Sequence, residues 1–414
     1  MNSYFSFSDK VYDVTEKYPE LIDVLAANGF ENLRNEMMRR TLGKTISLQM
    51  ALKSKQLNAD SFERQLVEAI EQQRPALSTG LVEAKQENGG EVKVKGILPC
   101  PIRVPFMEKL EAWFAAQPIQ YDYSLQAASM GLDWIEDDLI QNEHKGEEAL
   151  ADVYLSAGFG LFFDRKRMGK YKENGVFSDL TGAKKLNSIF DNDKIDLKDP
   201  LHQYSILGVV PAIFMVNKEA LGDRTAPKSW ADLMRPEFEN SIALPVRDLD
   251  LFNALLLGIY KEYGEEGIKK LGKAMLSSMH PAQMIKTGTR KAEAKTPAVT
   301  VMPYFFTWMA KENGSLIPVW PEDGAIVSPI FLLSKTKTAE KIQPLVDFLF
   351  SKEVGEVFAA GGKFPSTHPE VDNQLSAEKT FLWPGWDFIH SHDIGKLLKD
   401  LENVFFAVTG GGES

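Results

Sequence analysis

The chain has 414 residues and a formal net charge of −11, with 47 Lys and Arg against 58 Asp and Glu. Hydrophobic residues make up 44% and charged residues 25%, the balance of a globular chain long enough for two or three domains. The negative balance excludes whole-surface attraction for nucleic acid or anionic lipid, and the lone cysteine, Cys100, excludes an intramolecular disulfide or a multi-thiolate zinc cluster.

Met1 to Lys10 shows no basic segment followed by an apolar stretch of signal-peptide length, and no run approaches the roughly 18 apolar residues that span a bilayer. The expectation is a cytoplasmic chain without a membrane span, or a periplasmic or extracellular one if a leader was removed.

The front reads as a small all-α domain over residues 1–74. Ser8 or Asp9 is placed to cap a helix carrying Val11 and Val14. Pro19 opens a second helix with Leu21, Ile22 and Leu25 on one face, and Gly29 suits its end. Ser47 caps a helix with Leu48, Ala51 and Leu52 inward. Asn58 or Asp60 caps another with Phe62, Leu66 and Ile70 inward. Residues 75–91 turn polar, end in Asn88-Gly89-Gly90, and read as a linker.

From Val92 onward strands and helices alternate. Strands are expected at Val92–Val94, Ile119–Leu125, Asp152–Ser156, Ile206–Asn217, Ile242–Leu244, Val299–Met302 and Gly324–Ser334. Helices follow at Phe106–Phe114, Trp134–His144, Phe252–Ile259, Leu345–Phe348 and Val354–Ala360. Such alternation argues for an α/β fold with parallel strands covered by helices.

Several ordered stretches carry a resemblance. Pro227-Lys228-Ser229-Trp230-Ala231-Asp232-Leu233 runs on to Pro236-Glu237-Phe238 and Ile242-Ala243. Upstream stand Gly208 to Asn217 and Val216-Asn217-Lys218. Downstream stand Pro321-Glu322-Asp323-Gly324-Ala325, then Phe348 to Glu353 with Gly361 to Pro365. With these, the chain from about residue 91 resembles the periplasmic-type solute-binding proteins of ABC transporters, in the branch of ferric-ion, thiamine and polyamine binders. The resemblance implies a two-lobed, type II periplasmic-binding-protein-like fold, with lobe I in residues 91–204 and 325–414 and lobe II in 205–324. Hinges are expected near Gly208 and Gly324. The front module, on Tyr18-Pro19-Glu20, Val24-Leu25, Gly29-Phe30, Thr41-Leu42-Gly43 and Ser47-Leu48, resembles a helical domain of unknown function from anaerobe proteins. Those proteins are near the N-terminal part of iron–sulfur repair proteins. It contains no Cys or His, so a packing or partner-docking role is expected rather than a metal role.

Ligands of open α/β sheets bind beyond the carboxyl ends of strands, near helix N-termini. That rule selects Cys100 and Arg103 after the first strand of the α/β part and Ser156 and Gly158 after the third. It also selects Arg247, Asp248 and Asp250 after Leu244, and Tyr304 after Met302. Cys100 offers a thiolate for a soft metal, or is a small buried apolar residue. Ser156 and the Gly158 amide offer donors for an anion. Arg247 offers a bidentate clamp for a carboxylate or phosphate. Asp248 and Asp250 suit a cation or amine, with helix capping the competing role of Asp250. Tyr304 stands where ferric-binding relatives carry an iron-binding tyrosine, but Phe305 and Phe306 follow it where a second tyrosine is usual. His390-Ser391-His392-Asp393 invites a metal, yet residues two apart on a helix diverge.

No nucleophile elbow, phosphate loop, metalloprotease or dinucleotide motif occurs in the sequence. The expected function is non-enzymatic capture of a small solute by hinge closure, with a small molecule or ion as ligand and an ABC permease or cytoplasmic protein as partner. The ligand's identity and charge, and any cofactor, stay open. Two other readings stand beside it. One is a cytoplasmic sensor or carrier whose helical domain docks a partner. The other is an enzyme using Cys100 as nucleophile.

Overall fold

The computed structural model describes residues 4–18, 21–27, 30, 33, 38–55, 62, 66–67, 83–86, 89–128, 131–246, 249–278, 296–310, 314–360 and 364–409. The chain divides into two compact units, Met1–Val82 with Pro281–Thr296, and Glu83–His280 with Pro297–Ser414.

The first unit contains α1 (Val11–Lys17), α2 (Leu21–Ala27), a π-helical turn at Arg39–Gly43, and α3 (Leu48–Lys55). Its core gathers Val11, Val14, Leu21, Leu25, Leu48, Leu52, Phe62 and Leu66. This is the apolar face that the 3.6-residue spacing predicts. Ser47 caps α3 by accepting the Met50 amide at 3.2 Å. Lys10, not Ser8 or Asp9, precedes α1, because the Asp9 carboxylate folds back onto the Ser6 amide at 2.8 Å. The proposed caps at Asn58 and Asp60, and Pro19, Gly29 and Ile70, lie outside the described residues.

The second unit is built on one mixed sheet. Its strands in chain order are β1 (Glu83–Gln86), β2 (Val92–Leu98), β3 (Tyr121–Ala127), β4 (Val153–Ala157), β5 (Ser205–Asn217), β6 (Ile242–Leu244), β7 (Met275–Ser278), β8 (Val299–Pro303), β9 (Leu316–Val319), β10 (Ala325–Lys335) and β11 (Phe381–Leu382). They lie side by side as β1-β3-β2-β4-β10-β5-β8-β6-β7, with β9 also on β5, and with β11 and the short strand Phe177–Ser178 on β10. β2, β3 and β4 are parallel at one end, and β6, β7 and β8 at the other. Two long antiparallel strands, β5 and β10, join these halves. Both are buried along almost their whole length, which is why each reads as a near-continuous apolar run.

β1 corrects the linker reading. Glu-Ala-Lys-Gln has no apolar alternation, but it pairs antiparallel with β3, so the sheet edge supplies the order that the local sequence lacks.

The expected turn devices hold. Ser229 Oγ accepts the Asp232 amide at 3.1 Å, and the fully buried Trp230 donates its indole N–H to the Gly324 carbonyl at 2.9 Å. Gly324 has φ +107 and abuts the Phe381 backbone, a position that a side chain would strain. The β5–β10 register shifts between Ile330 and Phe331, opposite Gly208. The segment after the helices Ala339–Leu349 and Lys352–Ala359 takes up backbone groups there. Val209 N–H donates to Pro365 O at 3.0 Å, and Thr367 N–H donates to Leu207 O at 3.0 Å.

The C-terminal tail is not confined to the first half of the sheet. The helix Trp386–Ser391 sets Phe388 beside Tyr260 of a long helical stretch, Leu249–Ala274, kinked at Gly264. The last helix, Ile394–Val408, presses Gly395 on Asp164 of the first half, and its Phe405 onto Phe252 and Gly272 of the long helix. Residues 325–414 are therefore shared between the halves, against the expected assignment of all of them to lobe I.

Candidate functional site

The loops after the carboxyl ends of β4 and β6 approach each other at one point. Gly158 follows β4 with φ +78. A Cβ there would lie 2.7 Å from Asp250 Oδ1 and 2.9 Å from Asp250 Cα. Asp250 comes from the other half of the sheet. It sits in the first turn of the Leu249–Ala274 helix, inside the helix rather than at its cap, where a carboxylate is favoured by the helix dipole. Its carbonyl accepts Ser328 Oγ of β10 at 3.1 Å. So Gly158, Asp250 and Ser328, one from each half and one from a crossing strand, meet at the junction. Ser328 was not foreseen, since a serine inside an apolar strand gives no local signal.

Other expected donors are committed elsewhere. The Gly158 amide, expected to face an anion, donates to the Pro329 carbonyl at 2.9 Å as part of the sheet. Ser156 is fully buried and pairs with Phe331, whose ring is edge-on to Phe162, Phe163 and Tyr204. Its hydroxyl has no hydrogen-bond partner among the described residues. It belongs to an aromatic core rather than an open loop. Cys100 and Arg103 lie not in a loop but in the first turn of α4 (Cys100–Ala115), which starts behind Pro99 with Pro101 in its first positions. Arg103 is buried. The Cys100 side chain, Arg247 and Asp248 lie outside the described residues.

Tyr304, at the carboxyl end of β8, opens a second feature. It begins the 3-10 helix Tyr304–Met309, and its ring is edge-on to Trp320 at 5.1 Å. Its hydroxyl accepts Lys379 Nζ at 2.9 Å, and that ammonium lies 4.7 Å from the Tyr304 ring centre and 5.2 Å from that of Trp320. The three line a cavity of about 600 Å³ that runs past Ile213 and β9 to Lys218. Trp320 is fixed by its indole N–H, 2.7 Å from the Thr380 carbonyl. Sequence reasoning missed Lys379, Trp320 and Lys218. Lys379 reaches Tyr304 from 75 positions away, and no short spacing encodes that.

The His390–His392 pair does not form a metal site. His390 Nε2 is 2.8 Å from the buried Asp199 Oδ1, and His392 Nδ1 turns to the Phe388 carbonyl at 2.9 Å. No group of three or more potential ligands gathers among the described residues. Asp199 is held below the usual carboxylate range. Burial alone would raise it, but the His390 contact and the amides of Leu201 and Gln203 outweigh that.

Two α/β halves, joined by a pair of long antiparallel strands and meeting at the carboxyl ends of their parallel strands, define a two-lobed binding fold of the type II periplasmic kind. The chain belongs to the bacterial extracellular solute-binding protein family, whose profile matches residues 148–392, more than half of its length. Residues 5–62 match a domain of unknown function, DUF1858.

Among curated proteins, it is similar to the spermidine/putrescine-binding periplasmic protein 1 of Haemophilus influenzae, 26% identical over 43% of this chain and 53% of that one. It is also similar to the spermidine/putrescine-binding periplasmic protein of Escherichia coli, 24% identical over 50% of this chain and 63% of that one. The chain thus spans only part of the length of these relatives. Among solved structures, the ferric binding protein from Campylobacter jejuni superposes with TM-score 0.53 at 15% identity, over 77% of this chain and 99% of that one. An ABC-transporter substrate binding protein from Agrobacterium tumefaciens superposes with TM-score 0.53 at 16% identity, over 80% of this chain and all of its own. These likenesses establish the fold.

Proposed function

We propose that this protein captures a small solute between its two lobes by closing about β5 and β10, and delivers it to an ABC permease. The carrying observation is the close approach of Asp250, by its carboxylate and its Cα, to the bare backbone of Gly158, where one half touches the other with no side chain on the glycine side. Such a contact serves as a fulcrum, because hinge motions need a few positions that stay in register while the rest moves. Closure gains population only by contacts that the closed form makes with the solute. Lobe I in this reading takes residues 91–204, and lobe II takes 205–324. The tail, with its last helix against both, limits the swing. The front helical unit, with neither Cys nor His, is a docking module rather than a metal site.

The polyamine-binding relatives are periplasmic proteins, which supports action outside the cytoplasm; cell fractionation of the intact chain tests that. Among the described residues no helix is long and apolar enough to cross a membrane. Capture is tested by native mass spectrometry of the freshly purified full chain, followed by small-angle scattering with and without the retained solute. A smaller radius of gyration in the loaded form is the expected result. Identical scattering with a demonstrably bound solute overturns the reading.

A further inference from the structure

The cavity beside Tyr304 differs from the rest of the molecule in its donor and acceptor balance. Two lysines, Lys218 and Lys379, line it together with Tyr304 and Thr307. No Asp, Glu, Asn or Gln side chain does so among the described residues. This is unusual in a chain with a net charge of −11. Neither lysine has a carboxylate partner within ion-pair distance among the described residues.

Lys379 has three N–H donors, and its one described hydrogen bond goes to the Tyr304 hydroxyl oxygen. That contact holds the ammonium in place and leaves donors directed elsewhere, while the tyrosine O–H remains to donate in turn. Among the described residues the lining is therefore rich in donors and poor in acceptors. An anion entering it meets a pre-positioned cation, whereas an amine or metal cation meets the like charge of Lys379 and Lys218. At about 600 Å³ the cavity lies in the range of small organic ligands, far above the needs of a bare ion. One wall is flat and apolar, formed by the Trp320 ring with Leu316 and Pro318.

We infer that this cavity binds a small organic anion, a carboxylate or phosphate ester on a flat body, with its charge at Lys379 and its face against Trp320. The site runs from Tyr304 and Lys379 of the tail to Lys218. The inference goes beyond the capture reading by assigning a pocket and a ligand class that the capture reading leaves unassigned.

The test is isothermal titration calorimetry of the full chain with phenyl phosphate, 4-hydroxybenzoate, inorganic phosphate and spermidine. Phenyl phosphate or 4-hydroxybenzoate is expected to bind one to one, at least about tenfold more tightly than inorganic phosphate, and spermidine is expected not to displace it. The relative strength of the two aromatic probes separates a phosphate site from a carboxylate site. Lys379→Gln should weaken the better probe about tenfold or more, and Lys218→Gln about threefold, roughly the effects of losing a close and a distant charge contact. Raising salt from about 0.05 to 0.5 M should weaken binding to the unaltered chain, a readout that survives if a variant fails to fold.

Absence of binding by both aromatic probes, unchanged affinity in Lys379→Gln, salt-independent binding, or displacement by spermidine would each overturn the inference. Equal affinity for inorganic phosphate would remove its flat wall and overturn it too. Scattering on the same samples separates the two proposals. Binding that needs Lys379 but causes no compaction sustains this site, whereas compaction by a retained solute that persists in Lys379→Gln sustains capture alone.

Discussion

Two lysine–tyrosine pairs of the same length sit in opposite settings. In the first half of the molecule, Lys172 Nζ is 2.9 Å from the Tyr204 hydroxyl, which itself donates to the Phe162 carbonyl at 2.8 Å. Tyr204 is fully enclosed, stacked on Phe163, and Asp199 stands close enough to act on both side chains. In the second half, Lys379 makes the same 2.9 Å contact with Tyr304, but on the wall of a cavity that no acidic side chain lines among the described residues. The hydrogen bond is the same; what differs is whether charge and donors are satisfied around it. The Lys172 pair is a structural fastening at the entrance to β5. The Lys379 pair leaves donors facing open space, and that is the quality of a binding site.

The comparison breaks first at Asp199. Its side chain is fully buried and accepts from His390 and from the amides of Leu201, Gln203 and Tyr204. Asp199→Ala leaves these donors unpaired in the core and should cost about 3–5 kcal/mol in urea unfolding. A loss below about 1 kcal/mol would mean that this network fastens nothing.

A pH profile sharpens it next. Burial pushes the Lys172 ammonium down to about 8, with Arg165 adding to the effect and Asp199 opposing it. An unfolded lysine titrates near ~10.4. Between the two values the unfolded chain holds more protons than the folded one, so stability should rise as pH increases from about 8 toward 10. The gain is bounded at about 3 kcal/mol. Above that window the buried Tyr204, whose hydroxyl is held well above its usual value, reverses the trend, because the unfolded tyrosine then loses its proton first. Lys172→Met should abolish the rise, and a variant that keeps it would assign the effect to another group.

Much of the architecture was legible because it is written in long, repetitive signals. β5 and β10 are long, near-continuous apolar runs, and Ser229-Trp230 carries its own cap and anchor. The early helices follow their spacing for the same reason. What escaped was set by partners distant in sequence. β1 is a strand only because β3 is beside it. The prolines around Cys100 read as a loop, although Pro101 in the first positions of a helix is itself a start signal. Asp250 and Gly158 were each singled out, but nothing local says that they touch, and the Gly158 amide was assigned to a ligand that the sheet forestalls.

That contact gives a smaller, separate effect. Gly158→Ala adds a Cβ at φ +78 and within 2.9 Å of the Asp250 backbone, which cannot swing away as a side-chain tip can. A loss of about 2 kcal/mol in thermal or urea unfolding is expected from the left-handed strain and the forced separation. Under the capture reading the variant also closes less fully on a bound solute by scattering. A variant with unaltered stability and full compaction would remove the junction from the hinge.

The smallest expected change decides the comparison most directly. Tyr304→Phe removes the oxygen that holds Lys379 but leaves the ring and its edge contact with Trp320. Because the ammonium borders an open cavity, water takes the lost partner's place, and stability should fall by less than about 1 kcal/mol. The same truncation at Tyr204 has less relief, since inside a closed core Lys172 and the Phe162 carbonyl lose the hydroxyl between them and keep only their long 3.5 Å contact with each other. Equal losses at the two tyrosines would show that Tyr304 is as structural as Tyr204. A near-silent Tyr304→Phe with weaker uptake of an organic anion would separate fastening from recognition, two roles played here by the same pair of side chains.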